Sequence, residues 1–78
     1  MTGTPISNHI RRLRFERGEI SQDRLARAVG ITRQTVVALE AGRYAPSLEL
    51  AMRLAVALRT PLEELFFWRD GAPALPLD

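Results

Sequence analysis

Residues 20–46, ISQDRLARAVGITRQTVVALEAGRYAP, decide the fold of this 78-residue chain. They predict two short helices joined by a tight turn, because residues that commonly cap helices occur where each helix would begin and end. Ser21 can cap the N-terminus of the first helix, and Gly30 can end it in a left-handed conformation. Thr32 can then cap the second helix, which ends at Gly42.

Two short helices joined in this way form a helix-turn-helix, whose second helix lies in the major groove of DNA. We expect the first helix over about residues 22–29 and the second, the recognition helix, over about residues 33–41. Both belong to an expected domain of residues 1–68, followed by a loose C-terminal tail of residues 69–78. DNA binding is therefore the leading hypothesis.

The recognition helix has two different sides when its residues are placed at helical period. One side suits packing and holds Thr35, Val36 and Leu39. The other side holds Arg33, Gln34, Val37 and Ala38. Arginine pairs with guanine, glutamine pairs with adenine, and small apolar groups contact thymine methyl groups, so this side suits a groove floor. The alternative is an ordinary solvated face that carries two polar residues by chance.

Length and composition exclude several other classes. A chain of 78 residues without cysteine forms one small domain without disulfides. It shows no metal-ligand cluster and no cofactor motif, so stability must come from helix packing and dimerisation. The N-terminus lacks the apolar segment of a signal peptide, and no apolar run is long enough to span a membrane. We expect a cytoplasmic protein.

Positive charge is concentrated in the part that carries the helix-turn-helix. Up to Ala45, eight arginines stand against four acidic residues, a net charge of +4. From Pro46 onward, three arginines stand against five acidic residues, a net charge of −2. Because phosphate binding requires positive charge at the interface, this distribution favours double-stranded DNA as a partner.

Helices account for the rest of the chain. The first is expected over residues 8–17 with Ser7 as its cap, and a fourth begins after Ser47. A capping box at residues 60–63, TPLE, opens a short fifth helix that continues through Phe66. Because no strand alternation or hairpin signal is visible, the sequence predicts an all-α fold of five helices.

Three consecutive aromatic residues, Phe66, Phe67 and Trp68, follow in the fifth helix. At helical spacing they cannot all face one small core, so we expect one or two of them to be exposed as a dimer interface. A homodimer would place two recognition helices about one DNA turn apart. The alternative is that the tail folds back over these residues.

The chain also resembles a known family over residues 13–58, LRFERGEISQDRLARAVGITRQTVVALEAGRYAPSLELAMRLAVAL, and residues 61–68, PLEELFFW. It is similar to the Cro/C1-type, or xenobiotic-response-element, regulators, and most of all to their short single-domain bacterial members. The strings SQ-x-x-LA, TRQT and LE-x-G carry the resemblance. It implies a five-helix phage-repressor-like DNA-binding domain and a transcriptional regulator, acting as a homodimeric repressor.

The resemblance also implies roles for individual residues. Base contacts are implied for Arg33, Gln34, Val37 and Ala38, and phosphate contacts for Gln22, Thr32, Arg43, Tyr44 and Ser47. Arg14 and Glu40 match an arginine–acid pair that orients the recognition helix without contacting bases. The alternative for Glu40 is a solvated helix residue.

Two further classes stand beside a DNA-binding regulator. An antitoxin-like interaction module would bind a partner protein and use DNA only for autoregulation. An enzyme is the poorest alternative, because no cysteine nucleophile, convergent carboxylate pair or phosphate-binding glycine loop is visible. The only histidine, His9, is expected to be solvated on a surface helix. We therefore expect no catalytic residues.

Overall fold

The computed structural model describes residues 3–77. Its helices are α1 (Ile10–Glu16), α2 (Gln22–Val29), α3 (Arg33–Glu40), α4 (Leu48–Ala57) and α5 (Leu62–Leu65). Two short strands, β1 (Ile6–Asn8) and β2 (Phe66–Trp68), pair antiparallel and join the two ends of the domain. Within the described range, no helix is both long and apolar enough to cross a membrane.

Local capping fixes the helix-turn-helix formed by α2 and α3. The Ser21 hydroxyl accepts a hydrogen bond from the Arg24 amide at 3.0 Å, and the Thr32 hydroxyl accepts one from the Thr35 amide at 3.2 Å. Gly30 ends α2 with a φ of +82°, in the left-handed region that glycine adopts without strain. The three predicted caps are therefore confirmed, and the turn is determined by local chemistry.

A single apolar core holds the recognition helix in place. Its fully buried members are Ile10, Leu13, Leu25, Ala26, Val29, Val36, Leu39, Leu54, Leu58 and Leu65. Val36 and Leu39, from the side of α3 expected to pack, have no exposed surface. Helices α2 and α4 contribute to the same core, so α3 packs on it through Val36 and Leu39.

The expectation of an all-α fold is wrong at the N-terminus. Ser7 lies in β1 instead of capping a helix, and α1 begins only at Ile10. The side chain of Asn8 ends the strand, because its Oδ1 accepts a hydrogen bond from the Ile10 amide at 3.1 Å. A strand of three residues is too short to show the alternation from which strands are predicted.

The C-terminal end of the domain also differs from the expectation. The capping box expected at residues 60–63 does not form, since Pro61 is the N-cap and makes no side-chain hydrogen bond. The Thr60 hydroxyl instead donates to the Leu58 carbonyl at 2.9 Å. Helix α5 stops before Phe66, so the three aromatic residues lie on a strand and alternate between its two faces.

Candidate nucleic-acid interface

The outer face of α3 carries the four residues expected to read bases. Arg33, Gln34 and Val37 are exposed, and Ala38 is half-buried. Val37 keeps 44% of its surface accessible. A helix with its side chains is about 10–12 Å across and matches the major groove, which is about 12 Å wide.

Behind this face, Glu40 forms an ion pair with Arg14 that is almost fully buried. The Arg14 Nε donates to Glu40 Oε2 at 2.7 Å, and Nη2 donates to Oε1 at 3.2 Å. The two side chains are only 8% and 10% exposed. This bidentate geometry, with two N–H···O hydrogen bonds, is the strongest form of an arginine–carboxylate contact. The alternative of a solvated Glu40 is wrong.

Two further hydrogen bonds complete the network around this pair. The Gln22 Nε2 donates to Glu40 Oε1 at 3.1 Å, and Arg14 Nη1 donates to the Ile20 carbonyl at 2.9 Å. The network therefore joins α1, the start of α2 and the end of α3. No buried side-chain nitrogen or oxygen among residues 3–77 lacks a hydrogen-bond partner. The buried charges are thus fully compensated, as a stable buried ion pair requires.

The residues expected to contact phosphate lie at the starts of α2, α3 and α4 and in the loop after α3. Gln22, at the start of α2, directs its side-chain amide to Glu40. Thr32 caps α3, and the exposed Ser47 caps α4 through a 3.2 Å hydrogen bond from the Leu50 amide. The Ser47 hydroxyl keeps a hydrogen to donate, whereas the Thr32 hydroxyl also shares a 2.9 Å hydrogen bond with the hydroxyl of Thr35. Between Thr32 and Ser47, the loop from α3 to α4 exposes two further side chains, Arg43 and Tyr44.

Asn8 was missed by sequence reasoning although it touches the recognition helix. Its Nδ2 donates to the Leu39 carbonyl at 2.8 Å, while its Oδ1 accepts from the Ile10 amide. One side chain therefore links β1, the start of α1 and the C-terminal end of α3. No sequence pattern marks Asn8 for this role, because its partner lies 31 positions further along the chain.

The three aromatic residues of β2 have different surroundings. Phe66 packs against the core, so only part of its surface is exposed for the dimer interface in which we expected it. Phe67 and Trp68 remain 36% and 42% exposed, and we call these two residues the aromatic patch. His9 stacks on Phe67 with ring centroids 4.4 Å apart; it is half-buried and precedes α1 as its N-cap instead of lying on the surface of the helix.

The tail does not cover the aromatic patch. Residues 71–77 are all exposed, and Leu75 and Leu77 keep 74% and 100% of their surfaces accessible. The alternative in which the tail folds back over the aromatic residues is therefore wrong, and the aromatic patch is exposed to solvent.

A capped helix pair with an exposed polar face on its second helix defines the class of helix-turn-helix DNA-binding proteins. Comparison with known proteins agrees, since the family model described as helix-turn-helix matches residues 10–65. The chain belongs to this family of Cro/C1-type transcriptional regulators. It is a family of DNA-binding regulators and not of enzymes.

Three relatives support this membership, and the first two are of similar length to this chain. The chain is 54% identical over 65 residues to an uncharacterized HTH-type transcriptional regulator of Methanothermobacter thermautotrophicus, covering 81% of this chain and 93% of that protein. It is 42% identical over 65 residues to the HTH-type regulator YgzD of Bacillus subtilis, covering 83% and 97%. It is also 37% identical over 60 residues to the cryptic phage CTXphi transcriptional repressor RstR of Vibrio cholerae, covering 77% and 53%.

Proposed function

We propose that this protein is a homodimeric repressor that reads double-stranded DNA in the major groove with α3. The observation that carries the proposal is the outer face of α3, which is polar at its start and small and apolar further along. The buried ion pair of Arg14 and Glu40 also supports the proposal, because it fixes α3 in the free protein. A helix that is already fixed places its side chains against the bases without a further entropy cost for ordering the helix on binding.

Four residues carry the proposed readout. Arg33 and Gln34 stand at the start of α3, the end of a recognition helix that commonly contacts base edges. An arginine pairs with O6 and N7 of guanine, and a glutamine with N6 and N7 of adenine. Val37 and Ala38 follow on the same face, where apolar side chains can contact a thymine methyl group. The proposed half-site therefore combines guanine, adenine and thymine contacts.

The proposed phosphate contacts flank α3 along the chain. Gln22 and Thr32 lie before the helix, and Arg43, Tyr44 and Ser47 lie after it. Such contacts fix the register of a protein on the duplex but carry no sequence information themselves. The net charge of +4 up to Ala45 supports this arrangement.

The aromatic patch supports the proposed dimer. Phe67 and Trp68 expose large apolar surfaces on a strand that pairs with β1 along one edge only. A second copy packed against the face of β2 that carries Trp68 would cover this side chain and place two recognition helices on adjacent turns of DNA. Occupying such a site excludes other proteins from the same DNA, which is the simplest way for a protein of this size to repress transcription.

A selection from random duplex DNA tests this proposal, with Trp68→Ser and the control Leu75→Ser beside the wild type. We expect the wild type and the control to enrich a palindrome whose half-sites lie about one turn apart. In analytical ultracentrifugation, Trp68→Ser should sediment as a monomer. It should bind the selected palindrome at least about tenfold more weakly than the wild type, because a monomer makes only the contacts of one half-site. Salt-sensitive binding without any enriched sequence would contradict the proposed readout.

A further inference from the structure

We propose that Arg69, which lies outside the helix-turn-helix, contacts the DNA phosphate backbone at the C-terminal end of the recognition helix. This inference rests on the proposed function, since it adds a contact to the same interface. Arg69 was assigned to the tail in the sequence analysis, and nothing in its sequence surroundings marks it as a DNA contact.

The fold brings Arg69 next to the end of α3. Its backbone amide donates to the Pro5 carbonyl at 2.8 Å, which extends the pairing of β1 and β2 by one step. From there its side chain reaches Gly42, directly after the C-cap of α3. A Cβ atom on Gly42 would lie 2.6 Å from Nη2 of Arg69 and 3.7 Å from its Cζ. The guanidinium group of Arg69 therefore lies against the backbone of Gly42, where the proposed phosphate-binding loop begins.

Neighbouring contacts make this position well defined. The Thr4 amide donates to the Gly42 carbonyl at 3.3 Å, so the N-terminal segment also lies against this glycine. Gly42 has a φ of +72°, which L-residues with a side chain rarely adopt. The absence of a side chain at Gly42 thus serves both the backbone turn and the close approach of Arg69.

The charges around Gly42 favour an anion. Arg69 takes part in none of the ion pairs within residues 3–77, and neither does Arg43, the residue after Gly42. Both arginines are exposed. The Arg69 guanidinium lies against Gly42, and Arg43 follows Gly42 in the chain, so this segment carries two exposed positive charges. A phosphate group suits such a segment, because arginine binds phosphate with two parallel hydrogen bonds.

A purely structural role for Arg69 makes a different prediction. A cation at the C-terminus of a helix interacts favourably with the helix dipole, and this would stabilise the free protein. Such a role changes the melting temperature but not the number of phosphates neutralised on binding. The salt dependence of DNA affinity separates the two, because its slope reports the phosphate contacts.

The test measures DNA affinity over a series of salt concentrations for the wild type, Arg69→Gln and Arg69→Lys, using the duplex selected by the wild type. Arg59→Gln is the matched control, because Arg59 is exposed, lies in the turn after α4 and forms none of the ion pairs of the described residues. We expect Arg69→Gln to reduce the slope of log K against log salt by about 1, with a similar loss on every sequence. Arg69→Lys and the control should keep the wild-type slope.

Two results would overturn the inference. An unchanged slope in Arg69→Gln, with or without a lower melting temperature, would assign Arg69 a structural role, and so would failure of this variant to fold. The proposed function fails separately, because it requires the wild type itself to bind duplex DNA with sequence preference. A wild type that binds a selected sequence and an Arg69→Gln variant with the same slope would therefore leave the proposed function standing and remove only the contact of Arg69.

Discussion

Replacing Glu40 with alanine is expected to lower the free energy of unfolding by about 3 kcal/mol, because a buried charge is left without its partner. The guanidinium group of Arg14, 8% exposed, would lose both of its hydrogen bonds to the carboxylate. The Gln22 amide would lose an acceptor as well. For a domain of this size the change corresponds to a melting temperature lower by roughly 10–25 °C.

The same substitution should also weaken DNA binding, because Glu40 holds the C-terminal end of α3 against α1. Glu49→Ala is the matched control, since Glu49 also pairs with an arginine, Arg53, but both side chains are more than half exposed. An exposed pair of this kind contributes about 0.5 kcal/mol or less. Thermal unfolding followed by circular dichroism measures both variants. Equal melting temperatures for Glu40→Ala and Glu49→Ala would show that the buried pair does not stabilise the fold.

Replacing Arg33 with alanine is expected to reduce affinity for the selected DNA by about 5- to 150-fold, the loss of about 1–3 kcal/mol from one bidentate base contact. Stability should stay within about 0.5 kcal/mol of the wild type, because Arg33 is exposed and forms none of the ion pairs of residues 3–77. Fluorescence anisotropy on the selected duplex and on single-base variants measures the effect.

Arg59→Ala serves as the control for the loss of one positive charge outside the proposed interface. Its affinity should remain close to that of the wild type at moderate salt. For Arg33→Ala, the loss should be large on the selected sequence and small on the duplex altered at the contacted base pair. An equal loss on every duplex would be incompatible with a base contact and would make Arg33 a phosphate contact.

The parts of the fold that sequence could predict are those set by local chemistry. Ser21, Gly30 and Thr32 act on their own helix ends, and their geometry depends only on residues within three or four positions. The two-stranded sheet could not be predicted in this way. It pairs residues 6–8 with residues 66–68, and its stability depends on the rest of the domain bringing both ends of the chain together.

In the candidate interface, too, the features set by local sequence could be predicted and those set by packing between elements could not. The outer face of α3 follows from helical period alone, and the pairing of Arg14 with Glu40 was expected from the family resemblance. The hydrogen bond from Gln22 to Glu40 and that from Asn8 to Leu39 depend on how separate elements pack. Such contacts join residues 18 and 31 positions apart, and no periodicity in the sequence reports them.

The sheet gives the N- and C-terminal segments a shared role beside the recognition helix. Asn8 on β1 holds the Leu39 carbonyl, and Arg69 after β2 lies on Gly42. The same β2 strand carries the aromatic patch through which we propose that two copies meet. The proposed dimer contact and the placement of α3 therefore involve the same two-stranded sheet, so substitutions in either strand are expected to affect both.

The most direct test of the proposed readout repeats the selection from random duplex DNA with Gln34→Ala. Gln34 is exposed on α3, so its removal should leave the fold and the dimer intact. We expect the variant to enrich the wild-type palindrome with the preference lost at one base pair in each half-site, where adenine is contacted. An unchanged palindrome, or preferences weakened evenly at every position, would contradict reading of DNA by the outer face of α3.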